Sequence, residues 1–372
     1  MPSAVRQSVA LLLVPEADTL GELAREEIWW RDHFHVLEGR GYWLRPRYRP
    51  GWRPSWKEHP NRHPSEFEDW HRYENATVID VMRARDQRPM AAKQFGRRSE
   101  ELELIEWLLS THVRRQDLEN HTVPLVDRFN IDDKTIAIMP LLRPCDDPAW
   151  VTVGEVVSFL KQVFEGVRYM HGLNVAHRDI KAANIMYEPR RMYPDGFHPL
   201  VRDKAYGFRG KAKRNGTRTD HPVKYYFVSF SSARRYWEAT RPEETPHVDR
   251  KVTIGELEQL NDTPADPFTI DIKCLGTMVR TTILMKYRGV SFLAPLVKDM
   301  LQENASKRPT ATDLVRRFDA LEGALTERQL RARLVPVYEG PLLGICRGIR
   351  HTFRTMRWKR RGMDPAPPAP VL

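Results

Sequence analysis

The chain has 372 residues, 41% of them apolar, and a formal net charge of +11. That length admits two or three compact units, or one bilobed domain with extensions, while no apolar run approaches the roughly 20 residues of a membrane-spanning helix. The positive excess points to nucleic acid, anionic lipid or acidic protein as partners and carries no information about fold.

The longest apolar run near the start, Val9 to Val14, is closed by Pro15, so neither a span nor a secretory signal is expected. Cys145, Cys274 and Cys346 are odd in number and far apart. That argues against a disulfide framework or a zinc site and fits a reducing cytoplasmic or nuclear compartment.

Residues 1–72 read as an N-terminal extension. Leu20 to Leu37 has the pattern of a helix with Trp29, Trp30 and Phe34 near one face. Tyr42 to Trp56 follows as a strap of arginine, proline and aromatic residues, where proline forbids a regular helix. Arginines beside rings can grip RNA or single-stranded DNA by stacking; the plainer reading is that the rings pin the strap to a globular domain.

From Thr77 the pattern changes. Thr77 to Ala84 and Met90 to Phe95 read as strands around a turn at Asp86–Pro89, Ser99 to Leu109 as a helix, and Ile136 to Leu141 as a strand. The second half is mostly helical: Val153 to His171, Phe268 to Met285, Phe292 to Leu301 and Asp313 to Leu321. A basic, glycine-containing loop with little periodicity separates Pro189 from Val223, and long loops of this kind are usually functional or disordered.

Directly after the first long helix comes Val175-Ala-His177-Arg178-Asp179-Ile-Lys181-Ala-Ala-Asn184-Ile-Met186. Several residue types at fixed offsets make this segment specific, and it resembles the catalytic loop of protein kinases. The resemblance extends roughly from Thr77 to Leu321 and implies an α+β, bilobed protein-kinase-like fold with a small β-rich N-lobe and a larger helical C-lobe. It assigns Asp179 to orienting or accepting the proton of the attacking hydroxyl, Lys181 to steadying the transferred phosphate and Asn184 to a magnesium ion. Lys181, two residues after the aspartate, is similar to Ser/Thr rather than Tyr kinases. His177 and Arg178 are implied to be structural, and Arg178 before Asp179 implies control through the activation segment.

By the same resemblance Lys93 clasps the phosphates of ATP, with Glu101 as its helix partner; Glu100 and Glu103 are rivals for that role. Met139 corresponds to the gatekeeper, Leu142 faces the adenine through its backbone, and Met186 lies beneath the purine. Asp271 resembles the residue that holds the catalytic loop, and Arg308-Pro309 resembles a late family signature whose arginine pairs with a glutamate, here Glu256. The extension, the strap and the Val223–Phe227 strand together look like a fungal family of kinase-like proteins.

Two parts depart from that pattern. Thr77 to Met90 contains no glycine, so no glycine-rich loop precedes Lys93 to wrap the phosphates with backbone amides. Ser229 stands where the family has the magnesium-binding aspartate of its DFG segment, and Ser231 where it has the glycine. A neutral hydroxyl does not offset the charge of a metal–triphosphate complex, and losing one such group typically costs about 10² to 10³ in rate. Asp195 and Asp203 in the basic loop and Asp249 beyond Ser229 are acids that could compensate, and none has a supporting motif. Thr253-Ile-Gly-Glu256 occupies the place of Ala-Pro-Glu, and Thr240, Thr245 and Thr253 are equal candidates for a phosphosite.

In the tail, Leu342, Ile345, Ile349, Phe353 and Met356 recur at helical spacing beside Arg347, Arg350, Arg354, Arg357 and Arg361. Such a helix either lies on an anionic membrane or acidic partner, or packs on the large lobe with its arginines in water, the plainer reading. Trp358 to Arg361 is a weak nuclear-import signal, and Pro365 to Pro370 is expected to be disordered.

The organisation expected is therefore an extension (1–72), an N-lobe (73–140), a C-lobe (141–330) with a basic insert near 189–222, and a basic tail (331–372). The expected function is a nucleotide-binding, Ser/Thr-kinase-like protein with ATP as cofactor, doubtful magnesium, and weak or absent phosphoryl transfer. Its partner would be a protein substrate or regulatory protein. Two alternatives stand beside it: an active Ser/Thr kinase with Asp179 as base, and a nucleic-acid or membrane-surface binder built on a kinase scaffold through strap and tail.

Overall fold

The structure is a computed structural model in which residues 21–110, 117–236 and 266–370 are described. Antiparallel strands dominate the first part and helices the rest, an α+β architecture consistent with a protein-kinase fold. The chain divides into two compact units, Met1–Gln94 with Phe197–Ala212, and Phe95–Gly196 with Lys213–Leu372.

In the first unit, the expected N-terminal helix is two helices, α1 (Arg25–Asp32) and α2 (Phe34–Gly39). The break falls at His33, whose ring stacks on Trp29 at 4.0 Å and whose Nδ1 meets the Trp29 carbonyl at 2.7 Å. The strap then contributes a strand of its own, β1 (Tyr42–Leu44), antiparallel to β2 (Val78–Arg83), which in turn pairs with β3 (Arg88–Gly96). The β2–β3 turn is closed by an ion pair, Arg83 to Asp86 at 2.6 Å, with Gln87 in the left-handed region at φ 51°.

The strap is held from inside. Arg47, fully buried, donates to both carboxylate oxygens of Glu27 at 2.7 and 2.8 Å and lies over the Trp52 ring. Asp69 accepts from Trp52 Nε1 and from the Ser55 backbone, each at 2.9 Å. Arg45 pairs with Glu68 and donates to the His71 carbonyl at 2.7 Å. Buried charges persist when paired and hydrogen-bonded in this way. Arg45, Arg47 and Trp56 are buried, so these side chains are not presented for stacking on nucleic-acid bases. Residues 197–212 of the basic loop join the same network: Tyr206 donates to buried Asp80 at 2.9 Å, as Tyr73 does, and His198 lies 3.3 Å from Glu68.

In the second unit, α3 (Glu100–Leu108) starts at Ser99, whose hydroxyl accepts from Leu102 N and so satisfies an otherwise orphaned helix N–H. Strands β4 (Asp127–Ile131) and β5 (Lys134–Pro140) form a tight hairpin with Asp132 at φ 50°. The 20-residue α4 (Val153–Gly172) is the central core element, capped by Thr152 and apolar along most of its length. Three short strands form one small sheet beside it: β6 (Arg143–Pro144), β8 (Ile185–Tyr187) and β9 (Tyr225–Phe227), with β8 in the middle. Between β6 and β8 the chain forms β7 (Val175–Ala176), which pairs with β10 (Arg234–Arg235). The β8–β9 pairing has hairpin register, Ile185 opposite Phe227, so the basic loop takes the place of a turn.

Further helices among the described residues are α5 (Pro267–Val279), α6 (Ala294–Met300), α7 (Ala311–Gly323) and α8 (Pro341–Arg360), with a short helical turn at Glu327–Leu330 between the last two. The sequence pattern suggests one helix from Phe268 to Met285, but α5 gives way at Arg280 to a π turn. The hydroxyls of Thr281 and Thr282 bond back to carbonyls three and four residues earlier. The proline-rich end, for which composition predicts disorder, lies against α4 as far as residue 370: Ser158 Oγ donates to the Pro367 carbonyl at 2.5 Å. No helix among the described residues is long and apolar enough to cross a membrane.

Candidate nucleotide and catalytic-loop site

The catalytic-loop segment is positioned by one buried carboxylate. Asp271, fully buried on α5, accepts from the backbone N–H of His177 and of Arg178, each at 2.7 Å, and lies 3.0 Å from His171 Nε2. Arg178 takes the left-handed backbone at φ 65°, a conformation costing a non-glycine residue about 1 kcal/mol or more. The two amide bonds to Asp271 hold it there. The buried His177 ring packs between Phe227 and Phe230, 5.3 Å from each, and burial pushes its pKa down. The Phe230 N–H in turn donates to Glu101 Oε1 at 3.0 Å.

The loop thereby brings three side chains together. Asn184 Nδ2 donates to the Asp179 carbonyl at 2.8 Å and to Asp179 Oδ2 at 2.7 Å. Lys181 Nζ lies 3.0 Å from the same Oδ2. Both partners engage the same oxygen of Asp179, Oδ2. Val228 N–H donates to the Asn184 carbonyl at 3.1 Å, so Ser229 is the next residue along from Asn184's backbone partner. Its hydroxyl is 3.5 Å from that of Ser231.

The other candidates are distributed between the units. Lys93 sits mid-strand in β3 opposite Val78, half-buried, in the first unit. Glu101 is in α3 of the second unit, engaged with Phe230. Leu142 is buried just before β6, Met186 is half-buried in β8 opposite Pro144, and Met139 is buried in β5. Arg308 donates to three backbone carbonyls, of Gln302, Thr269 and Glu303, at 2.7 to 3.1 Å. Glu256, Asp249, Thr240, Thr245 and Thr253 lie outside the described residues.

Among the described residues of the catalytic loop and the segment after β9, the donors a magnesium ion could meet are Asn184, Ser229 and Asp179. Asn184 and Ser229 are neutral, and the Asp179 carboxylate already carries Lys181 against it. Magnesium sites are ordinarily built from one or two carboxylates plus phosphate oxygens.

One supporting feature is not readable from sequence. His121 to Val123 runs beside β9 as an additional edge: Phe227 N–H donates to the His121 carbonyl at 2.8 Å, and Val123 N–H to the Phe227 carbonyl at 3.1 Å. The His121 ring meets the Tyr225 carbonyl at 2.7 Å, and complete burial pushes its pKa down to about 3. His-Thr-Val beside a proline carries no strand signal; only the partner strand reveals it.

Comparison with known proteins places this geometry in a class. Residues 74–196 match the protein kinase domain family, the match ending where the basic loop begins. The chain is 22% identical over 174 residues to a probable serine/threonine-protein kinase of Dictyostelium discoideum, covering 45% of this chain and 10% of that protein. It is 31% identical over 120 residues to myosin light chain kinase family member 4 of Mus musculus, covering 30% of this chain and 31% of that one. With serine/threonine-protein kinase pkn3 of Myxococcus xanthus the identity is 50% over 42 residues, 11% of this chain and 8% of that protein. The chain thus spans from under a tenth to about a third of the length of these relatives. Residues 74–196 are thus similar to a protein kinase domain, and the relatives named are protein kinases.

Proposed function

We propose that the protein is a Ser/Thr-kinase-like nucleotide-binding module in which phosphoryl transfer is weak or absent, acting through binding and regulation. Asp179, Lys181 and Asn184 take the roles of the catalytic loop, and Glu101, Leu142 and Met186 of the same unit line the nucleotide side. The observation that carries the reading is Ser229, a neutral hydroxyl at the end of β9 beside the Asn184 backbone. There the family places a magnesium-binding carboxylate. Removing one well-placed electrostatic group costs about 3 to 4 kcal/mol of barrier, against a normal kinase turnover of roughly 1–100 s⁻¹. The glycine-free course from Thr77 to Met90, with its Arg83–Asp86 turn, adds to that loss.

The second reading is an active Ser/Thr kinase, and one observation favours it: the Asp179–Lys181–Asn184 cluster is fully assembled. Radiolabelled phosphate transfer separates the two. Transfer that disappears in Asp179→Asn supports the active kinase. Transfer no greater than in that variant supports the module proposed here.

A further inference from the structure

The tail helix α8 is docked by one face only. Trp358 is fully buried and donates to Asp220 Oδ1 at 2.9 Å, Arg357 donates to the same oxygen at 2.7 Å, and His351 Nε2 meets the Arg331 carbonyl at 2.8 Å. At 100° per residue, Leu342, Ile345, Ile349, Phe353 and Met356 fall within an arc of about 80° centred opposite Trp358. These five side chains are 80%, 61%, 57%, 69% and 51% exposed. A soluble surface scatters such residues; here they form one continuous stripe over four turns.

Along one edge of the stripe runs a groove of about 440 Å³ whose walls include Arg214, Arg350, Arg354, Arg357, Asp220 and Phe353. Asp220 is taken up by Arg357 and Trp358. Among the described residues, Arg214, Arg350 and Arg354 make no ion pair. Burial and the neighbouring Arg350 lower the Arg354 pKa, outweighing the opposing pull of the Glu155 and Asp220 carboxylates.

We propose that α8 is an interfacial helix that binds the surface of an anionic phospholipid bilayer, with the apolar stripe entering the acyl boundary and the arginine groove receiving a lipid phosphate. Phe353 belongs to both surfaces, so the apolar and phosphate-binding parts meet at one side chain, as they do in a phospholipid. An exposed apolar face flanked by arginines is the pattern of a helix lying in the surface of an anionic bilayer. The arginines complement an anionic headgroup layer, each contributing about fivefold in affinity near such a surface.

The test uses the full chain and co-sedimentation with vesicles of phosphatidylcholine alone or mixed with phosphatidylserine. Binding is expected to the mixed vesicles and not to phosphatidylcholine alone. Replacing both Arg350 and Arg354 by alanine is expected to weaken it about 25-fold. Ile349→Ser with Phe353→Ser is expected to reduce it tenfold or more. These side chains are exposed or face a groove, so thermal melting of each variant stays near that of the parent. Absence of binding, equal binding to both vesicles, or binding unchanged in the serine pair overturns the proposal. So does capture of polyglutamate or inorganic phosphate by a chain that ignores both vesicles, which would assign the arginines to an acidic protein or a free anion.

Discussion

Asp271 illustrates how one residue fixes a site it does not enter. Its two oxygens satisfy two buried amides of the catalytic loop and face a histidine. Asp271→Ala leaves those amides unpaired, at about 1–3 kcal/mol each, so a loss near 3 kcal/mol or more is expected in urea unfolding. Asp271→Asn keeps one acceptor and should lose less. Equal stability of parent and alanine variant would show that Arg178 holds its left-handed backbone without this carboxylate. His121 makes a different contribution. Its folded pKa, about 3, lies below the ordinary value near 6.5, so the unfolded chain takes up the proton first as pH falls. The stability from burying the neutral ring is fully present above about pH 6.5 and is lost progressively down to about pH 3. The slope is about 1.4 kcal/mol per unit in that window. Unfolding free energies between pH 7 and pH 5 should fall by about 2 kcal/mol, and by less in His121→Phe.

At the scale of elements, the contact between α4 and the chain end is the tightest that glycine permits. A Cβ on Gly154 would lie 1.8 Å from the Pro365 carbonyl oxygen, a distance no relaxation of side chains relieves. Gly154→Ala is therefore expected to release residues 365–370 from α4, seen as faster amide exchange and proteolysis at the end, with about 1–3 kcal/mol lost. Deleting residues 365–372 should cost about the same, and the two changes together should cost no more than either alone. Full additivity would contradict the contact. The elements that sequence made legible are those with local signals: α3 and α4 by their apolar period, β2 by its β-branched run, and β3 by the turn signal at Asp86–Pro89 before it. Asp179, Lys181 and Asn184 could be read as one group because their spacing is local. β1 and the 121–123 edge could not, because a short strand is defined by its partner and not by its own residues. The break at His33 and the π turn after Val279 arise from side chains bonding to the backbone, which a periodicity count does not register. The docking of the proline end depends on a missing Cβ some 200 residues away.

At the scale of the whole molecule, the +11 charge divides by use rather than by amount. Arg45, Arg47 and Arg218 are buried structural cations, satisfied by carboxylates, carbonyls or rings. Arg214, Arg350 and Arg354 are gathered around a groove whose one carboxylate, Asp220, is taken up by Arg357 and Trp358. Composition counts both groups alike, and only the fold separates them. The same separation applies to the kinase signature. Asp179, Lys181 and Asn184 are held together, and Ser229, at the proposed metal position, carries no charge. That contrast is the central claim, and thermal shift with ATP alone and with ATP plus magnesium tests it most directly, in the parent chain and in Ser229→Asp. Saturating ligand at a hundredfold excess over Kd stabilises a fold by about 2.7 kcal/mol. The account predicts a shift with ATP that magnesium does not enlarge in the parent chain, and a shift that magnesium does enlarge in Ser229→Asp. A magnesium-enhanced shift in the parent chain, matched by that of Ser229→Asp, would contradict it.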